Sequence, residues 1–177
     1  MGINNIVRIR GLMDDGTVII YSRLFNKILE GKAFSVSHRF EGISADASAD
    51  IFFENPSGST KNIFIVAVEV GGFGAGWVDI YRDNTVSSSG TQLTPTNLNL
   101  SSTNSSVANV EYGGTYTVGT LAHQTVLPGG TLVRSLGSIA EVGENVVLPP
   151  NNNFLVRITN KSGTTNDYSI RIIWWEE

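Results

Sequence analysis

His38 and His123 are the only side chains whose ordinary pKa lies near neutral pH, since the chain has two histidines and no cysteine. Neither has a second histidine or a carboxylate at metal-ligand spacing. His38 shares an apolar face with Phe34, Val36 and Phe40, which predicts a core or interface imidazole. His123, between Ala122 and Gln124, has no triad partner in view. Asp46 and Asp50 lack the Asp-x-Asp-x-Asp-Gly pattern of a calcium loop. Gly71-Gly-Phe-Gly-Ala-Gly76 lacks the third glycine of a dinucleotide fingerprint, and no helix follows it to receive a phosphate. There is no nucleophile elbow. Glu41, Glu54, Glu69 and Glu111 are strand-borne, and ordinary burial statistics favour solvated or paired roles for them over a glycosidase pair. Trp77, Trp174 and Trp175, with Tyr81 and Tyr168, pose a choice between a sugar-stacking platform and core or subunit contacts. The second is preferred, because a period of two sends Trp174 and Trp175 to opposite faces. No catalytic, cofactor or metal residue is predicted, and the chain reads as a non-enzyme.

The elements that carry these residues are strands. Phe34, Val36, His38 and Phe40 alternate with Ser35, Ser37, Arg39 and Glu41. Residues 77–82, 154–159 and 168–175 alternate in the same way. The runs 50–54 and 62–70 are apolar enough to be central or buried on both faces. Asn55-Pro-Ser-Gly58 is turn chemistry, and Asp14-Asp15-Gly16 is a hairpin signal. The segment 160–166 is expected to join the last two strands in antiparallel fashion. One helix competes with a short strand over residues 22–30, with Ser22 as cap and Gly31 as stop. Together these predict an all-β antiparallel sandwich over 34–177, preceded by an N-terminal arm or hairpin over 1–33.

Composition narrows the function classes. Gly, Ser, Asn and Thr supply 68 of 177 residues while charged residues make up 16%, so a helical bundle or coiled coil is excluded. No apolar run reaches the length of a membrane-spanning helix, and no membrane partner is expected. A net charge of −4 with scattered basic residues argues against nucleic acid. The start of the chain shows no secretory signal, which fits synthesis in a cytoplasm. Residues 87–106 are nearly uncharged and of low complexity, and are expected to lie against the domain or a neighbour, with Leu93, Leu98 and Leu100 as pins.

Gly90-Thr-Gln-Leu-Thr-Pro-Thr-Asn-Leu-Asn99 and Asn104-Ser-Ser-Val-Ala108 resemble a recurring segment in virion proteins of tailed bacteriophages. So do Val147-Leu-Pro-Pro-Asn151, the strand 154–160 that follows it, and the closing strand 168–177. The resemblance is to small all-β capsid decoration (cement) or head-fibre proteins. It implies a jelly-roll-like domain, a structural role on the virion surface and commonly a trimer. The implied partners are the major capsid protein and other copies of the chain. The expected contact residues are Ile6, Arg8, Arg10 and Phe25 in the arm, and Leu93 and Leu98 in the long segment. The alternative is a receptor-binding or fibre head that recognises host-surface glycans.

Overall fold

The computed structural model describes residues 22–129 and 146–177. The expected hairpin at residues 14–16, and Ile6, Arg8 and Arg10, lie outside the described residues. Among the described residues, one helix, α1 (Arg23–Leu29), precedes thirteen strands. They are β1 (Ala33–Ile43), β2 (Ser48–Asn55), β3 (Ile63–Gly72), β4 (Gly76–Arg82), β5 (Thr85–Ser88), β6 (Thr91–Gln92) and β7 (Thr96–Asn97). They continue with β8 (Asn109–Tyr112), β9 (Thr115–Thr117), β10 (Thr120–Leu127), β11 (Val146–Leu148), β12 (Asn152–Asn160) and β13 (Asn166–Glu176).

Sheet one runs β11-β3-β13-β1-β7, and sheet two runs β10-β4-β12-β2-β8-β6. A third, two-stranded sheet is β5-β9. The antiparallel pairs β1·β13, β2·β12, β3·β11 and β4·β10 match each early strand with a late one. Such a chain is one long hairpin rolled up, with successive strands in alternate sheets, which is the jelly-roll winding. The expected antiparallel joining of the last two strands is therefore corrected. β12 and β13 lie in different sheets, and residues 161–165 arch between them. Buried Asn160 holds this arch: its amide donates to the Ile43 and Thr164 carbonyls, and its Oδ1 accepts from Ser162 and from the Tyr168 hydroxyl.

Alternation places the core between the sheets. Phe34 and Val36 of β1, Ile51 and Phe53 of β2, and Val156 and Ile158 of β12 all turn inward and are buried. Trp174 stands among them, edge-on to Phe53 at 5.0 Å and tilted against Phe34 at 6.1 Å. Trp175 points the other way, as the period of two predicts, and stacks on Phe64 at 3.7 Å on the outer face of sheet one.

The helix forms where its caps predict. Ser22 Oγ accepts the Phe25 N–H. Gly31, at φ 66°, closes a Schellman motif, with Gly31 N–H on the Ile28 carbonyl and Lys32 N–H on the Lys27 carbonyl. A Cβ on Gly31 would also collide with the Ser102 side chain.

That contact belongs to the long polar segment, which is not a free loop. It carries β6, which pairs beyond β8 at the edge of sheet two, and β7, which pairs beyond β1 at the edge of sheet one. It thereby covers the same side of both sheets, which would otherwise present unpaired backbone. Its Asn and Ser content is spent on local backbone bonds. Asn97 Oδ1 accepts from Asn99 N–H, Asn99 Oδ1 from Ser101 N–H, and Ser102 Oγ from Asn104 N–H. The far end is held by Glu176, fully buried at the end of β13. Its carboxylate accepts from the Ser106 hydroxyl, from Val107 N–H at 3.0 Å, from Trp174 Nε1 at 3.2 Å and from Lys61 Nζ at 3.2 Å.

Candidate partner-binding surfaces

The two segments expected to make contacts come together in space. Asn97 and Asn104 donate their side-chain amides to the Gly31 carbonyl, at 2.9 and 3.1 Å. Leu98 N–H bonds the Ala33 carbonyl, and the Asn99 amide reaches the Leu29 carbonyl. The segment around residues 97–104 thus lies along the C-terminal end of α1.

The helix presents an unusual face there. Lys27 is buried against sheet one, while Arg23, four residues earlier, stays 63% exposed and lays its guanidinium over the outer aromatic pair. The Arg23 guanidinium sits 4.4 Å from the Trp175 ring centroid and 5.5 Å from that of Phe64. The buried Lys27 ammonium lies 5.3 Å from Trp175 and bonds Glu177 at 3.0 Å and Glu30 at 3.2 Å. A buried ammonium is tolerated because two carboxylates and an aromatic face replace its water. Residues two steps along a helix are rotated by about 200°, so cations facing the sheet send Phe25 and Leu29 outward. Phe25 is 41% exposed and Leu29 57%. Leu100, next to the residue that bonds the Leu29 carbonyl, is 88% exposed.

Of the residues named from sequence, Phe25 and Leu98 fall on or beside this patch. Leu98 is half-buried. Leu93 turns away: it packs against the core, and its N–H bonds the Val110 carbonyl. Leu29 and Leu100 were not among the named contacts. Apolar spacing marked Leu29 as helical without giving the helix its orientation, and Leu100, expected as a pin, is instead the most exposed of these leucines.

A second surface is the outer face of sheet two, where the register lines side chains into rows. Tyr81, Leu155, Phe52 and Glu111 form one row, and β5-β9 covers part of it: Tyr116 stacks on Phe52 at 5.3 Å and donates its hydroxyl to Glu111. Burial and the nearby Glu111 carboxylate raise the Tyr116 hydroxyl pKa well above its ordinary value. The next row is Gln124, Asp79, Arg157 and Asp50. Arg157 holds Asp50 through two hydrogen bonds, at 2.8 and 2.6 Å. The last row is Val126, Trp77, Thr159 and Ser48, with Ser48 and Thr159 hydroxyls 2.8 Å apart. Trp77 is 53% exposed, and Lys161 Nζ, paired with Asp46 at 2.7 Å, lies 4.4 Å from its ring centroid. Of the proposed aromatic set, half-buried Tyr81 shares this face, with the Arg157 guanidinium 5.9 Å from its ring centroid, while Trp174, Trp175 and Tyr168 are buried elsewhere.

His38 sits on the inner side of β1, stacked on Tyr112 at 3.7 Å and edge-on to Phe40 at 4.7 Å. Burial lowers its pKa below the ordinary imidazole value. The unfolded chain therefore takes up this proton first as pH falls, and stability drops from the ordinary imidazole range down to the lowered native pKa. His38→Gln should flatten the decline in urea midpoint between about pH 7 and 5 relative to the parent chain. Equal slopes in the two proteins would remove His38 as the cause.

Among the described residues, no group of three or more His, Cys, Asp or Glu side chains is placed to hold a metal ion, and no helix is long and apolar enough to cross a membrane. A scan against protein-family models and a search of curated proteins return no match for the chain.

Proposed function

We propose that this chain is a structural virion protein, a decoration protein that binds the major capsid lattice of a tailed bacteriophage. In this reading neighbouring copies also touch, with a trimer as the working form, and the protein resides on the outer surface of the capsid. The observation that carries the reading is the exposed apolar edge of α1. α1 keeps its cations against sheet one and directs Phe25 and Leu29 outward, beside the exposed Leu100. Exposed apolar side chains grouped on a rigid body are a feature of interaction sites. The jelly roll supplies the rigid body, and the hydrogen bonds from Asn97, Asn99 and Asn104 fix the patch to it. Many copies on one lattice let individually modest contacts hold collectively.

The test is cosedimentation of purified protein with undecorated capsids of the phage that encodes it. The parent chain should saturate the capsids. The double variant Leu29→Asp/Leu100→Asp should bind at least about tenfold more weakly, a loss of roughly 1.4 kcal/mol. Its urea midpoint should stay near the parent's, because exposed sites contribute little to folding. Failure of the parent chain to bind, or undiminished binding by the double variant, would refute this assignment.

A further inference from the structure

The outer face of sheet two carries an exposed tryptophan that the capsid reading does not use. We propose that Trp77 and the charged row beside it form a binding site for a neutral pyranose saccharide. The indole supplies an apolar platform for the C–H face of a sugar ring, and the adjacent row supplies fixed hydrogen-bonding groups for its hydroxyls.

Trp77 and Asp79 are two residues apart on β4 and so share a face, with a repeat of about 6.6 Å between them. Arg157 lies opposite Asp79, and Thr159 opposite Trp77. The polar groups are already held in place. Arg157 is gripped by both oxygens of Asp50, and Lys161, held by Asp46 at 2.7 Å, lies over one face of the indole, so a sugar ring would stack on the other. Groups fixed before binding lose little freedom on binding, which favours a small polar ligand.

Two features decide between a sugar and a protein partner. A stable protein contact covers about 800 Å² on each side around an apolar centre. In the rows of Trp77 and Asp79, Trp77 and Val126 are the apolar members and the remaining six side chains are polar or charged. That is the scale and chemistry of one or two sugar rings. Charge selects the class of sugar. Asp46, Asp50 and Asp79 outnumber Lys161 and Arg157, and the chain carries a net charge of −4, so acidic saccharides are disfavoured.

The site contains its own reporter. Of the three tryptophans, Trp77 is exposed while Trp174 and Trp175 are buried, so acrylamide quenching of tryptophan fluorescence reads Trp77. The full chain would be titrated with maltotriose, cellotriose and chitotriose as neutral probes and with sialyllactose as the acidic one. At least one neutral trisaccharide should protect the fluorescence from quenching, with a dissociation constant on the order of millimolar. Trp77→Ala should abolish binding to that sugar by calorimetry, and Asp79→Asn should weaken it about tenfold at an unchanged melting temperature. Three results would overturn the proposal. They are no protection by any neutral trisaccharide, protection by sialyllactose alone, and a sedimentation change with Trp77→Ala that assigns the face to a second protein copy. Capsid cosedimentation of Trp77→Ala should match the parent, so failure here and failure of the decoration role give different results.

Discussion

Glu176→Ala should lower the unfolding free energy by about 3–5 kcal/mol, the range seen when one partner of a buried ionic cluster is removed. The carboxylate is fully buried and accepts from Trp174 Nε1, Val107 N–H, the Ser106 hydroxyl and Lys61. Deleting it strands two donors that cannot rotate away, the indole N–H and the Val107 amide. Lys61 is less affected, because its side chain is 40% exposed and its ammonium can turn to water. The loss should also release the end of the long polar segment, since Ser106 and Val107 tether it to β13. Glu176→Gln keeps one acceptor and should fall between Ala and the parent. Urea unfolding with constant slope measures the series. A loss below about 1 kcal/mol for Ala would mean that water enters and satisfies the donors.

Trp174→Ala should be comparably severe, at about 3–5 kcal/mol. The indole fills the space between the sheets against Phe53 and Phe34, and Phe53 in turn stacks on Phe154 at 4.9 Å. No small side chain can close that gap while strands on both sheets hold their positions. Domains are stable by roughly 5–15 kcal/mol, so this single change removes a large share of the total. Trp174→Phe should recover part of the loss by refilling volume without the indole N–H. Because Trp174 and Glu176 are hydrogen-bonded, the double alanine variant should cost less than the two single losses added. Calorimetric melting temperatures test both statements, and strict additivity would argue that the pair is not coupled.

How much of this was legible before the structure depends on range along the chain. Local signals read correctly. Ser22 and Gly31 bracket α1, and the alternation around Phe34 and at Trp174 and Trp175 gives the buried faces. Periodicity says which side of a strand is buried, but not which strand it pairs with. Asn160-Lys-Ser-Gly-Thr-Thr-Asn166 is good turn chemistry both for an antiparallel join and for the arch at residues 161–165, so the sequence alone does not separate the two. The orientation of α1 was likewise hidden. Its apolar spacing is ordinary, and only the Trp175–Phe64 stack, supplied by distant strands, explains why the cations face the sheet. The same limit separated Leu93 from Leu100, since burial in a polar segment is decided by the sheet it lies on. The outer-face rows needed the register of four strands before Trp77, Asp79 and Arg157 became neighbours.

The pairing of β13 between β1 and β3 also orders events in time. β13 is the last of these strands to leave the ribosome, yet it is the middle of its sheet. While it is still being made, β1 and β3 have completed their sequences but have no partner between them. At translation speeds of roughly 5–20 residues per second, the interval from the end of β3 to the end of β13 lasts several seconds. Throughout it the nascent chain exposes two apolar strand edges, and sheet one closes only after Trp174 emerges. Chains stalled before β13 should therefore associate with one another or with chaperones, whereas chains released after it should collapse in a single late step.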